Sequence, residues 1–176
     1  MLYLNFENAG ISGGDSNRHE MTLEQLVSEI DTNQEIVDGN LEKFSRNNQR
    51  IREATANTLK DIEEIAARLG KSDKHKDLID QPSLEKVRSG TESAVATLSE
   101  LERLVEEKGR EVREKFGRLK EHGRHDLAGG YRMTLNFMSD VQVFLNKVEE
   151  TQRSAAEDQN TTIKLISKVR EALDRG

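Results

Sequence analysis

The chain has 176 residues, of which 34% are hydrophobic and 34% are charged. This balance suits a narrow helical core, and one proline with no tryptophan favours long helices over a β or α/β fold. The net charge of −6 argues against a general nucleic-acid binder, which normally carries a basic surface. The absence of cysteine excludes disulfides, thiol catalysis and cysteine-ligated zinc.

The sequence does not decide the compartment. No apolar run approaches the length of a membrane span, and the N-terminus lacks the basic and then apolar pattern of a cleaved Sec signal. The chain is therefore predicted to be soluble, without a membrane span, and either cytoplasmic or exported without a cleaved Sec signal. No motif for a cofactor is present, and none is expected to bind.

Residues 1–19 are predicted to form a flexible N-terminal segment, with an apolar tip followed by a tether rich in Gly, Ser and Asn. The large apolar residues of the tip are Met1, Leu2, Tyr3, Leu4 and Phe6. The tip has three possible roles: a lid over an apolar part of the same chain, a short strand that docks on another subunit, or an export or docking signal. These alternatives stay open at the level of sequence.

The first predicted helix covers about residues 21–70, because apolar residues recur there at alternating steps of three and four. Its a positions are Val27, Gln34, Leu41, Asn48, Thr55, Ile62 and Leu69. Its d positions are Leu23, Ile30, Val37, Phe44, Ile51, Thr58 and Ile65. Thr22 or Ser16 is predicted to cap the start, and Gly70 lies where a C-cap belongs.

The second and third predicted helices cover about residues 83–122 and 130–174, and Pro82 suits a first helical turn. In the second helix Lys108 and Lys115 fall at d positions, so its seam is expected to fray there. The second seam contains Leu84, Val87, Thr91, Ala94, Leu98, Leu101, Val105, Val112 and Leu119, with Val95 and Phe116 beside it. The third seam contains Tyr131, Met138, Val141, Leu145, Val148, Gln152, Ala155, Gln159, Thr162, Ile166, Val169 and Leu173.

These helices predict an all-α fold. Loops of about ten residues, the second with glycines at 123, 129 and 130, favour antiparallel neighbours. We therefore predict an elongated, antiparallel, up-down-up three-helix coiled-coil bundle as one domain over residues 20–176, preceded by a short non-helical N-terminal segment. Exchange of a helix between two chains, giving a homo-oligomer, is the alternative to closure within one chain.

Charge supports antiparallel packing of the first two helices. The acidic residues at the start of the first helix are Glu20, Glu24, Glu29, Asp31 and Glu35. The basic residues at the end of the second are Lys108, Arg110, Arg113, Lys115, Arg118 and Lys120. Antiparallel packing places these two blocks side by side.

The middle of the core is predicted to be polar. The residues expected to set the register there are Gln34, Asn48, Thr55, Thr58, Gln152 and Gln159. Buried polar side chains cost stability unless they are hydrogen-bonded, and a buried Asn selects register. The favoured interpretation is register specification, and the alternative is a marginal bundle that opens or exchanges helices on meeting a partner.

The aromatic residues predict a binding surface. Most of them lie toward the end where the first helix starts, the second stops and the third begins, and part of the third helix is apolar beyond its main seam. The residues predicted to contact a partner are Leu2, Leu4, Phe6, Met133, Phe137, Val143 and Phe144, with Arg113 and Arg118 as a basic rim. The leading hypothesis is a non-enzymatic interaction or adaptor protein that binds a protein partner through this end.

Two resemblances define alternative functions. The stretch His125-Asp126-Leu127-Ala128-Gly129-Gly130 partly resembles the His-x-Leu-Lys-Gly core of histidine phosphotransfer domains, with Ala128 in place of the lysine. That resemblance implies a phosphoryl-accepting histidine on a helical bundle.

The cysteine-free composition, helical hairpins and polar core are similar to those of bacterial type III secreted translocator and filament proteins. This second resemblance implies a self-assembling filament, tip or translocator subunit of a bacterial secretion system. His122 and His125 are interpreted as exposed loop residues and not as metal ligands.

Overall fold

The computed structural model describes residues 21–71 and 73–176. Within these ranges the chain is helical and has no strand: α1 is Leu23–Gly70, α2 is Gln81–His125 and α3 is Leu127–Arg175, with a short 3₁₀ turn at Asp73–His75. The three helices pack against one another, so the predicted all-α three-helix bundle is confirmed. The predicted N-terminal segment lies outside the described residues.

Side chains at the helix starts satisfy backbone groups that have no partner within the helix. At α1, Thr22 Oγ1 accepts a hydrogen bond from Gln25 N (3.2 Å) and Gln25 Oε1 accepts one from Thr22 N (2.9 Å), which forms a capping box. At α2, Asp80 Oδ1 accepts a hydrogen bond from Ser83 N (2.8 Å), and Pro82 lies in the first turn. Thr22 as cap and Pro82 as a first-turn residue are therefore confirmed.

The helices contribute to two compact units. Of the described residues, unit 1 comprises residues 21–44 together with Leu104–Glu149, and unit 2 comprises Ser45–Arg103 together with Glu150–Gly176. Each unit contains a part of all three helices, and each is described separately below.

In unit 1, α1 and α2 run antiparallel. Asp31 pairs with Lys120 (2.7 Å) and Asp38 pairs with Arg113 (2.9 Å). The second pair lies seven residues later in α1 and seven residues earlier in α2, as antiparallel packing requires. The pair between Asp31 and Lys120 joins members of the predicted acidic and basic blocks, and Asp38 lies three residues beyond the predicted acidic block. The apolar core residues of this unit are Leu26, Ile30, Val37, Leu41, Phe44, Val105, Val112, Phe116, Leu119, Met138, Val141, Leu145 and Val148.

In unit 2, α1 and α3 run parallel. Asp61 pairs with Arg170 (2.9 Å), and further along both helices Arg68 pairs with Asp174 (2.8 Å). These pairs are partly exposed to solvent, and the buried core of unit 2 is an apolar cluster with contributions from all three helices. Its buried members are Ile62, Ile65, Leu69, Leu84, Ile166, Val169 and Leu173.

At the start of α1 the predicted d positions Ile30 and Val37 are buried, but the predicted a positions are wrong by one residue. Leu26 and Asn33 are buried at 1% exposure each, whereas Gln34 is only half-buried and Leu23 is exposed. Two successive steps of four, from Asn33 to Val37 and from Val37 to Leu41, insert a stutter into the heptad pattern. Before the stutter the a positions therefore lie one residue earlier than predicted, and Asn33 takes the core position predicted for Gln34.

The register of α2 in unit 1 is corrected in the same way. Gly109 and Phe116 face the core, and their neighbours Lys108 and Lys115 do not. Leu41 Cδ1 packs closely on Gly109, since a Cβ added there would lie 3.2 Å from it. The predicted fraying is therefore wrong, because the two lysines lie beside the seam.

The polar core positions predicted for unit 2 are largely buried. Asn48, Thr55, Thr58, Thr91 and Gln152 are all at most 6% exposed, and Gln159 is half-buried. The threonine hydroxyls donate to carbonyls one turn earlier in their own helices, for example Thr55 to Ile51 at 2.7 Å. Asn48 differs, because its Nδ2 donates across to Leu98 O on α2 at 2.7 Å. Asn48 thus ties α1 to α2 at a defined height.

The predicted ten-residue loop between the second and third helices is wrong. Only Asp126 lies outside α2 and α3, and Gly123, Gly129 and Gly130 are all helical and buried. Asp126 caps α3, because its Oδ1 accepts a hydrogen bond from Gly129 N at 3.0 Å. A Cβ added at Gly130 would lie 2.7 Å from Gly123 Cα, so the two helix backbones touch at this turn. The glycines therefore serve close approach and not an irregular loop.

Candidate functional site

The candidate site on α3 in unit 1 is called here the aromatic surface. It consists of Met133, Phe137 and Phe144, which form one strip, and of Val143, which lies about 100° further round the helix. The core residues of this stretch are Thr134, Met138, Val141, Leu145 and Val148. Met133, Phe137 and Phe144 each precede a core residue by one position, so they lie along one flank of the core stripe. The uninterrupted register of α3 thus creates a second apolar stripe beside the first.

Phe137 anchors the aromatic surface to the core. Its ring meets Phe116 of α2 edge to face, with centroids 5.1 Å apart and planes at 79°. Phe116 is fully buried, whereas Phe137 is half-buried. This geometry is favourable for aromatic pairs and favours this orientation of the Phe137 ring.

The other members of the aromatic surface are more accessible. Met133 is 40% exposed and Val143 is 66% exposed, and Phe144 is half-buried. Large apolar side chains that stay in contact with water on one helix face are typical of surfaces that bind another protein. The binding role of these four residues stays a prediction, and Phe137 is partly committed to the fold.

The other predicted contact residues, Leu2, Leu4 and Phe6, lie outside the described residues. The described chain enters α1 beside the α2–α3 turn, because a Cβ added at Gly123 would lie 2.6 Å from Leu26 Cδ2. Met133 lies seven residues after Asp126, about two helical turns into α3.

The two arginines of the predicted basic rim, Arg113 and Arg118, have different surroundings. Arg113 Nε donates to Asp38 Oδ1 at 2.9 Å, so this side chain is bound to α1 within unit 1. Arg118 is exposed. Of the two, Arg118 is therefore the better placed to meet an acidic group on another molecule.

Tyr131 lies on α3, two residues before Met133 of the aromatic surface, and is half-buried. Burial raises the pKa of its hydroxyl, and the charge of Glu29 on α1 raises it further. Both effects favour the neutral phenol, so Tyr131 remains an uncharged hydrogen-bonding group across the neutral pH range.

An open depression of ≈ 460 Å³ lies on the outer side of unit 1 near the start of α1. It is lined by Leu23, Glu24, Val27, Ser28, Asp31, Thr32, Glu35 and Arg124. Leu23 and Val27, predicted to be core residues, form its apolar part because the stutter moves them to the flank of the seam. Of its three acidic residues, Asp31 is already paired with Lys120, so the depression is an open surface of mixed apolar and polar character.

The histidines at the end of α2 pair with acids one turn away. His125 Nε2 lies 3.3 Å from Glu121 Oε1, and His122 Nε2 lies 3.8 Å from Asp126 Oδ2. The motif that resembles histidine phosphotransfer domains is divided by the break at Asp126, with His125 ending α2 and its glycines opening α3. Residues 21–71 and 73–176 contain no group of three or more His, Cys, Asp or Glu side chains suited to a metal ion.

Comparisons with protein families, with curated proteins and with solved structures found no match. In the described ranges, none of the helices combines the length and the apolar character that crossing a membrane requires.

Sequence reasoning did not find the contact between Gly123 and Gly130. The signal was present as a helix-capping residue, Asp126, placed between glycines that are seven residues apart. Glycine clusters usually indicate loops, and only the close backbone approach in the fold identifies these as packing positions.

Proposed function

We propose that this chain is a non-enzymatic interaction or adaptor protein that binds a protein partner through the aromatic surface. The observation that carries the proposal is the exposure of Met133 and Val143 beside the half-buried rings of Phe137 and Phe144. Burying such a strip would supply apolar contact area, and a fixed ring beside it reduces the entropy lost on binding.

Charge would orient the partner. Arg118 is exposed on α2, the helix that supplies Phe116 beneath the aromatic surface. A partner with apolar side chains and an acidic edge fits this arrangement, because rim charges mainly raise association rates and set orientation.

The proposal is tested by placing a photo-crosslinking amino acid at Val143, which is exposed and makes no core contribution. The matched control carries the same amino acid at Glu114, an exposed position on α2. We expect a covalent adduct with another protein in cells of the source organism from position 143 and not from position 114. Equal adducts from both positions, or none from either, would refute the aromatic surface as a binding site.

The second candidate function is a self-assembling structural subunit. Exposed apolar residues on α3 favour it, since Ile163 and Leu165 of unit 2 are exposed as well as Met133 and Val143 of unit 1. In the same crosslinking experiment, adducts from position 143 that contain only this chain would favour this candidate over partner binding.

A further inference from the structure

The turn between α2 and α3 consists of one residue, Asp126. Asp126 N donates to His122 O at 2.9 Å, and Asp126 O accepts from Gly130 N at 2.8 Å. Both bonds follow the i to i−4 pattern of an α-helix. A change in the torsion angles of one residue is therefore enough to join α2 and α3 into a single helix over residues 81–175.

The turn also forces a close contact. Gly123 and Gly130 touch backbone to backbone, and seven residues further from the turn Phe116 meets Phe137. Helices normally pack with their axes about 8–10 Å apart, which leaves room for side chains between them. At this turn there is room for none, since a Cβ on Gly130 would lie 2.7 Å from Gly123 Cα and 3.0 Å from Gly123 N.

The pairing register of the two helices is compatible with an exchange between chains. Residues 123 and 130 lie opposite each other, and so do residues 116 and 137, so the pairing is symmetric about the turn. In each of two copies, α2 and α3 can join through Asp126 into one long helix. When these two long helices lie antiparallel, residue 123 of one chain meets residue 130 of the other and residue 116 meets residue 137, so the same pairs form between chains. The helix separation at the centre is no longer set by a one-residue turn and can widen.

We propose that this chain is a monomer in equilibrium with a dimer formed by exchanging α3 with a second copy, with Asp126 as the hinge. The interaction surface is the core face of α3, and the partner is an identical chain. Exchange extends the helix through Asp126 and re-forms the core contacts between chains, and the native glycines, which have no Cβ, fit both the hairpin and the exchanged dimer. The exchange is independent of partner binding through the aromatic surface.

The first test is Gly130→Ala. The added Cβ meets the Gly123 backbone in the hairpin, whereas in a continuous helix alanine is favoured over glycine. We expect the variant to run at twice the monomer mass by light scattering, with helicity by circular dichroism at least equal to that of the parent chain. The matched control is Gly117→Ala on α2, where no atom lies within 4 Å of an added Cβ and the mass should not change.

A second variant, Asp126→Ala, adds no atom to the contact. It removes the cap on Gly129 N and favours a helical residue at the hinge, so it should also increase the dimer fraction. If Gly130→Ala or Asp126→Ala loses helicity without dimerising, the proposal is overturned, because the exchanged dimer would have rescued the fold.

Distance measurement separates exchange from other kinds of dimer. Because the chain has no cysteine, spin labels can be placed at Gly117→Cys and Asn136→Cys, which lie opposite each other in the hairpin. In the Gly130→Ala background, labelled chains diluted into excess unlabelled chain should show a separation of about 28 Å along a continuous helix. A retained short separation, near the spacing of about 10 Å between neighbouring helices, would overturn the exchange even if a dimer forms.

Discussion

Phe116 and Phe137 meet edge to face across α2 and α3, with ring centroids 5.1 Å apart. One ring is fully buried and the other lies at the border between core and solvent. Phe137 therefore belongs both to the packing of unit 1 and to the aromatic surface, and the two contributions can be separated by mutation.

Phe137→Ala should destabilise the fold by about 2 kcal/mol, since a half-buried ring contributes less than the 3–5 kcal/mol that a fully buried Phe loses on truncation to Ala. Phe137→Leu keeps most of the apolar contact and should cost roughly half as much. Chemical denaturation measures both values. Asn136→Ala, an exposed neighbour on α3, is the control, and an equal effect from it would contradict the packing role of the ring.

Asn48→Leu should stabilise unit 2 by about 1 kcal/mol, because replacing a partly satisfied buried polar group by an apolar one is often favourable. Within the described residues Asn48 Oδ1 has no hydrogen-bond partner, although Nδ2 donates to Leu98 O. The free energy of unfolding is the measurement, with Asn57→Leu on the exposed side of α1 as control. A loss of stability would mean that the bond to Leu98 outweighs the desolvation of the amide.

The cap on α2 should make stability depend on pH at the acidic end. The hydroxyl of Ser83 lowers the pKa of Asp80, and the Ser83 N–H lowers it further. The folded state therefore prefers the carboxylate, and this contribution is present above the unfolded-state pKa of about 3.9 and is lost as the pH falls through the lower folded-state pKa.

Asp80→Ala should accordingly lower the thermal midpoint at neutral pH, and the difference from the parent chain should shrink on acidification. Thermal unfolding followed by circular dichroism at a series of pH values gives this difference directly. Asp77→Ala removes an exposed acid from the same loop and provides the comparison. A constant difference across the acidic range would show that the carboxylate is not what caps α2.

The ion pair between Asp38 and Arg113 should contribute little to folding, because both side chains are at least 40% exposed. A double-mutant cycle with Asp38→Ala and Arg113→Ala should give a coupling of about 0.5 kcal/mol at low salt and less at high salt. Arg118→Ala on the same helix should not couple to Asp38→Ala. A coupling above about 2 kcal/mol, or one that salt does not weaken, would contradict this view of the pair.

The sequence was sufficient to predict the helices and their directions. The heptad pattern of α3 continues without interruption from Thr134 to Leu173, which is why the flanking positions Met133, Phe137 and Phe144 were predicted correctly. Successive residues of a helix point about 100° apart. An uninterrupted row of core positions therefore also determines which residues lie on its two flanks.

The register at the start of α1 could not be predicted because adjacent residues offer equivalent choices. Leu26 and Val27 are both apolar, and Asn33 and Gln34 are both polar amides, so either pair fits a seam. The choice is made by a stutter at Val37 and Leu41, and stutters depend on how neighbouring helices wind around each other.

The α2–α3 turn could not be predicted because glycine has two structural uses with the same local signature. Gly123, Gly129 and Gly130 fit a loop as well as a contact between helix backbones. Which use applies depends on a neighbour distant in the chain, since Leu26 of α1 packs against the position of Gly123.

The buried polar residues of unit 2 have a consequence for the response of the chain to temperature. Five buried polar side chains are described in unit 2, against two, Asn33 and Thr134, in unit 1. Exposing apolar groups raises the heat capacity and exposing polar groups lowers it, so unit 2 contributes less to the heat-capacity change of unfolding. Its stability should vary less steeply with temperature, and cooling should therefore weaken unit 1 more than unit 2.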